Sequence, residues 1–194
     1  MMPKKCHYLK MRRGKQQPTT PSSSETSHGY LLTLVKDLNE IKAMAKAWNF
    51  DLTFPNGPND ITHFNITFHI KIGIYKGGSY TFSFYIPPGF RIERPVVRIL
   101  TDIWHPNIMP PKYDADGNHS GGEICLSVLR SEYKPTNPLQ TIVTGLAYLF
   151  HAPNPDDPLN QEAAIQMRNN YEGFCAKVEE MIMKQQENEE EDDE

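Results

Sequence analysis

"FNITFHIKIGIYKGGSYTFSFYI", residues 64–86, decides the fold. Phe64, Ile66, Phe68, Ile70 and Ile72 alternate with Asn65, Thr67, His69 and Lys71. The same alternation resumes through Tyr80, Phe82, Phe84 and Ile86. Strand side chains project to opposite faces in turn, so a period of two predicts strands buried on one face and polar on the other. The intervening "YKGGSY" supplies a turn. Upstream, "DLTF" before "PNGPND" reads as a first strand. Downstream, "PPGF" breaks the pattern and "PVVRIL" reads as one more strand. These connections are too short for parallel crossovers, which predicts an antiparallel meander of four strands.

On either side the period changes to that of a helix. In "GYLLTLVKDLNEIKAMAKAW", Leu31, Leu34, Val35, Leu38, Ile41 and Ala45 recur on one helical face, with Thr26 or Ser27 as cap. "PLQTIVTGLAYLF" reads as a central helix, stopped by the prolines of "HAPNPDDP". "LNQEAAIQMRNNYEGFCAKVEEMIMK" reads as one long helix or two short ones, with Gly173 as the break. The expected class is α+β: an N-terminal helix, a four-stranded antiparallel meander, then central and C-terminal helices. There is no internal repeat.

The chain has 194 residues and a net charge of −4, but its ends differ sharply. Residues 1–15 hold six Lys or Arg and no carboxylate, and residues 16–28 are polar and Pro-containing. Residues 187–194 hold seven carboxylates. We therefore expect a disordered basic extension over 1–28, a folded core over 29–185 and a disordered acidic tail over 186–194. Nothing is basic enough to indicate a nucleic-acid partner. No apolar run reaches the ~18 residues of a membrane span, and no apolar stretch follows the basic N-terminus as in a secretion signal. The three cysteines, Cys6, Cys125 and Cys175, are odd in number and widely spaced. That is no disulfide framework and suits a reducing compartment, cytoplasm or nucleus. The core is expected to be a monomer.

Cys175 shares a helical face with Met167, Tyr171, Phe174, Val178 and Ile182, and reads as a core residue. Cys6 lies in the extension. The sequon Asn65-Ile66-Thr67 sits within a strand and is set aside. Cys125 is different. Gly121 and Gly122 precede it, placing the thiol on an irregular segment, and loops on a rigid scaffold are where chemistry concentrates. Three readings stand: a buried structural thiol, a metal ligand with His105 and His119, or a nucleophile. The spacing fits no common zinc motif, and no local signature marks a histidine base for a cysteine protease. Asn107, in "HPNI", suits a turn; its carboxamide can also donate to backbone carbonyls or to an oxyanion. Asp156 and Asp157, between Pro155 and Pro158, read as turn and helix-start residues or, near a nucleophile, as carboxylates that position an amine.

Taken in their order, these motifs resemble the ubiquitin-conjugating enzyme family. "YKGGSYTFSFYIPP", "HPNI", "GGEICLSVL", "KPTNPL" and "PNPDDPLNQEAA" carry the likeness from residue 30 to residue 184. "ICLSVLR", "YKP", "GLAYLF" and "LVKDLNEI" resemble the neddylation branch, whose members modify cullins and carry a basic N-terminal extension. The resemblance implies that Cys125 accepts a ubiquitin-like modifier as a thioester from an activating enzyme and passes it to a substrate lysine. It implies that Asn107 orders the site or holds the oxyanion, His105 supports that turn, Asp157 orients the lysine and Ser127 edges the cleft. No cofactor or metal is implied, ATP being consumed by the activating enzyme. The implied partners are that modifier or ubiquitin, the activating enzyme, a RING-type ligase, a co-ligase docking on the N-terminus, and a cullin substrate. Ubiquitin conjugation, a non-catalytic binding variant of the fold and a thiol hydrolase are the rival readings.

The chain departs from the family in places. His105 and Cys125 stand twenty residues apart, longer than is usual, so residues 109–120 read as an insertion beside the site, with Asp114 and Asp116 within it. Tyr133 stands where Trp is common, and Arg94 and Asn137 lie near the loops that contact ligases. The chain begins Met1-Met2 where the branch has Met-Ile or Met-Leu.

Overall fold

A computed structural model of the chain describes residues 26–113 and 119–192. The elements in order are α1 (Thr26–Trp48), β1 (Phe50–Thr53), β2 (His63–His69), β3 (Ser79–Tyr85) and β4 (Val96–Ile99). After them come β5 (Pro111–Tyr113), β6 (His119–Gly121), a 3-10 turn (Ser127–Leu129), α2 (Leu139–His151), α3 (Gln161–Asn169) and α4 (Tyr171–Asp192). Strands β1 to β4 form one antiparallel sheet in sequence order, the expected meander. No helix among the described residues is long and apolar enough to cross a membrane.

Register follows from the alternation. Phe64 faces Phe84, Ile66 faces Phe82 and Phe68 faces Tyr80, all of them buried. The Phe64 and Phe84 rings stack at 4.7 Å, a cross-strand contact that favours this register over a one-residue slip. The period fails at Ile72, which is exposed. Gly73 and Gly77 hold φ of 82° and 92° there, so the chain turns before the strand reaches its expected end.

Helices cover the apolar face. Leu34, Leu38 and Ile41 of α1 are buried, as are Ile142, Val143, Leu146 and Phe150 of α2 and Phe174, Val178 and Ile182 of α4. Phe150 lies 4.9 Å from the Tyr80 ring and 5.6 Å from the Tyr75 ring, which fixes α2 against the sheet. Cys175 packs partly buried against this core, in line with its helical face.

One residue of α1 breaks the apolar pattern. Asp37 is 3% exposed and accepts two bonds from Arg91 Nη2, at 2.8 and 2.7 Å, and one from the Leu139 N–H at 3.1 Å. Arg91 also donates to Asn137 O at 2.6 Å. This ion pair ties α1, the segment before β4 and the first turn of α2 together.

Four expectations are corrected. The C-terminal helix is two helices, but the break is at Asn170 rather than Gly173. The Asn170 side chain accepts from the Gly173 N–H at 2.9 Å and so caps α4. The helix start near Asp156 and Asp157 belongs instead to Asn160, whose side chain accepts from the Ala163 N–H. Residues 186–192, expected within a disordered tail, continue α4, because Gln185 and Gln186 reach Asp102 O and Gly77 O and anchor the helix past the core. The helix α1 also takes in residues 26–28, expected within the extension. Residues 1–25, with Cys6 and Met1-Met2, lie outside the described residues, as do Asp114, Asp116 and residues 193–194.

On the two described sides of the 109–120 insertion, β5 pairs antiparallel with β6. This pair flanks β4: Ile99 N–H donates to Gly122 O at 3.0 Å, and Tyr113 Oη donates to Leu100 O at 2.9 Å. Gly121 has φ of 79°, and a Cβ there would lie 2.7 Å from Pro110 O, so the return into the site needs glycine.

Candidate active site

The site begins with a turn and a short ladder. His105, Pro106, Asn107 and Ile108 make a tight turn, and Ile108 bridges antiparallel to Ile124. Cys125 N–H donates to Asn107 O at 2.8 Å, and Met109 N–H to Glu123 O at 2.9 Å. The thiol is thereby pinned beside the His-Pro-Asn turn, twenty residues upstream.

His105 is fully buried. Its Nδ1 accepts from the Asn107 N–H at 2.9 Å, which leaves Nε2 to donate to Leu149 O at 3.0 Å. Burial lowers its pKa to about 4, against the weaker opposing pull of the Leu149 bond, so the ring is neutral near pH 7. With both nitrogens committed it is neither a metal ligand nor a base for Cys125. Among the described residues no group of three or more His, Cys, Asp or Glu is arranged to hold a metal.

Asn107 is also buried, at 4% exposure. Its Nδ2 donates to Asn154 O at 2.8 Å and Asp157 O at 3.2 Å, and its Oδ1 accepts from the Asn154 N–H at 2.8 Å. Pro106 O accepts from the Leu159 and Asn160 N–H groups, at 2.8 and 2.9 Å. Arg168 holds the same loop from α3, donating to Pro155 O at 3.0 Å. The carboxamide is thus spent on backbone carbonyls, one of the two uses expected of it, and holds the segment between α2 and α3 against the thiol.

That segment delivers Asp157. The part-exposed Cys125 thiol lies 3.7 Å from Asp157 O and 3.9 Å from Asp157 Oδ2. Asp156 faces outward, its carboxylate 85% exposed. Ser127 opens the 3-10 turn after Cys125, and its hydroxyl donates to Glu132 at 2.9 Å.

Sequence reading missed two participants. Arg130, at the end of that turn, donates from Nη2 to Cys125 Sγ at 2.7 Å. Asn154 is the other half of the Asn107 contact. Neither carries a periodic signal: the first depends on one 3-10 turn bringing residue 130 back over residue 125, the second on two segments 47 residues apart. Beside the thiol runs a cleft of about 550 Å³, walled by Pro95, Val97, Ile124, Leu129 and Leu159 with Glu93 and Arg94 at its edge. Arg98 and Glu123, also in its lining, form an ion pair at 2.9 Å. No described lining residue is a histidine. A part-exposed thiol with a guanidinium at 2.7 Å and a carboxylate at 3.9 Å suits acyl transfer in which a partner supplies an activated carbonyl.

Residues 33–182 match the family model described as ubiquitin-conjugating enzyme. The chain is 40% identical over 147 residues to "NEDD8-conjugating enzyme UBC12" of Yarrowia lipolytica, covering 76% of this chain and 74% of that one. It is 36% identical over 152 residues to "Probable NEDD8-conjugating enzyme Ubc12-like" of Arabidopsis thaliana, covering 78% and 75%. Among solved structures it is similar to the E2 domain of a Toxoplasma gondii ubiquitin conjugating enzyme, with a TM-score of 0.65 at 26% identity, over 79% of this chain and 96% of that one.

Proposed function

The chain belongs to the ubiquitin-conjugating enzyme family and is a transferase, and we propose that it carries NEDD8 as a thioester on Cys125 and transfers it to lysines of cullins. The observation that supports the chemistry is the part-exposed sulfur held 3.9 Å from the Asp157 carboxylate at the mouth of a cleft. The modifier is read from the relatives, which are named as NEDD8-conjugating enzymes.

The Cys125 thiolate attacks the carbonyl of the activating enzyme's thioester and displaces that enzyme's cysteine. A neutral lysine amine then attacks the same carbon, the amide C–N bond forms, and the Cys125 sulfur leaves. Proximity supplies most of the acceleration, since a thioester persists in water yet yields to a positioned amine. Asp157 orients the incoming lysine, and the amine's surplus proton passes to solvent. Asn107 acts through Asp157 by fixing its segment, and His105 acts through Asn107. Ser127 belongs to the turn that presents the cleft edge. ATP is used by the activating enzyme. The basic N-terminal extension docks on the co-ligase and a RING-type ligase binds the core, in the reducing cytoplasm or nucleus.

The test is direct. The chain is incubated with ATP and either NEDD8 or ubiquitin, each with its own activating enzyme, and run on a non-reducing gel. A thiol-sensitive adduct with NEDD8, absent in Cys125→Ala, is the expected result. An adduct with ubiquitin alone would replace the modifier; no adduct with either would leave only a binding variant of the fold.

A further inference from the structure

Cys125 Sγ lies between two charged groups of opposite sign. Arg130 Nη2 is 2.7 Å away and Asp157 Oδ2 is 3.9 Å away. A thiol has one weak proton to donate, whereas a thiolate only accepts. The two neighbours therefore suit different states of the sulfur: Asp157 receives the S–H, and Arg130 receives the anion. From this geometry we propose that Arg130 is a catalytic residue, pairing with the Cys125 thiolate as nucleophile during loading and as leaving group during discharge. The role in transfer rests on the function proposed above; the ion pair itself does not.

The backbone makes the contact specific. Arg130 N–H donates to Ser127 O at 2.9 Å, closing the 3-10 turn, and this closure brings residue 130 back over residue 125. Of the other charged residues lining the cleft, Arg98 is paired with Glu123 at 2.9 Å. Among the described residues the Arg130 cation stands 2.7 Å from the sulfur and the Asp157 anion 3.9 Å from it. A cation within ~4–6 Å favours the ionised form of a neighbouring acid.

The electron and proton balance places Arg130 in both half-reactions. In loading, Cys125 gives its proton to solvent and its thiolate attacks the donor thioester. A new C–S bond forms, the old one breaks, and the donor cysteine leaves as thiolate and is protonated by solvent. In discharge the neutral amine attacks, its surplus proton goes to solvent, and the C–S bond breaks with its electron pair on Cys125. Sulfur charge develops at each transition state, where the neighbouring guanidinium lowers the barrier. Between the two events the sulfur is uncharged and the pairing is absent.

The full-length chain is alkylated with iodoacetamide across a pH series, and the Cys125 peptide is followed by mass spectrometry so that Cys6 and Cys175 do not contribute. In Arg130→Gln the midpoint moves up by about one pH unit or more. Alkylation near pH 7 is then roughly tenfold slower. Arg130→Lys recovers part of the shift, and Asp157→Asn moves the midpoint down. Single-turnover loading and lysine discharge both slow in Arg130→Gln, and raising the pH restores loading. An unmoved midpoint in Arg130→Gln, or undiminished discharge, overturns the proposal. A wild-type chain that alkylates as described but never loads a modifier overturns the proposed function instead, and the catalytic role with it.

Discussion

The Asn107 side chain and the Asn154 main chain bond reciprocally, Nδ2 donating to Asn154 O and Oδ1 accepting from the Asn154 N–H, both at 2.8 Å. This single carboxamide, with its second donation to Asp157 O, holds the carboxylate segment beside the thiol. Asn107→Ala leaves those part-buried backbone groups without their side-chain partner, a loss of about 1 kcal/mol. Chemical denaturation should show that loss. If Asn107 acts only by positioning, transfer to free lysine should slow far more than thioester loading. Equal slowing of both would indicate a direct contact with the reacting acyl group.

His105 makes stability depend on pH. Its folded pKa of about 4 lies below the ordinary 6.5, so between those values the unfolded chain binds more protons. The stabilisation is complete above pH 6.5 and is lost as pH falls toward 4, amounting to about 3 kcal/mol. Urea titrations at neutral and mildly acid pH should show this loss in the wild type, and a smaller one in His105→Gln. Identical pH dependence in the two proteins would contradict the buried, neutral ring.

Asp37 and Arg91 form a buried pair with unequal exposure, their side chains 4% and 22% accessible. Arg91→Ala strands a carboxylate with only the Leu139 N–H, at a cost of about 3–5 kcal/mol. Asp37→Ala should cost less, because the guanidinium can turn toward water. In a double-mutant cycle the losses should be clearly less than additive. Additive losses would mean the two residues act separately.

Gly121→Ala should disturb the site from the hairpin side. Its positive φ and the 2.7 Å approach to Pro110 O leave no room for a methyl group. The strain costs roughly 1–3 kcal/mol. Hydrogen exchange should be faster at Met109 and Cys125, whose amides belong to the adjoining ladder. Unchanged exchange there would show the hairpin to be uncoupled from the thiol.

The alternation at Phe64–Phe68 and Tyr80–Phe84 determines the sheet by itself, because burial of every second apolar side chain is a local property of an extended chain. The same holds for the buried face of α1 and for the order of motifs that carries the family resemblance. Polar partnerships are another matter. Nothing near Asn107 in sequence points to Asn154, nothing in α1 marks Asp37 as the partner of Arg91, and only the 3-10 turn sets Arg130 against Cys125. A hydrophobic side chain needs only to leave water, which periodicity records. A hydrogen bond or ion pair needs one particular group at one distance and angle, and in this protein only the packed fold supplies it.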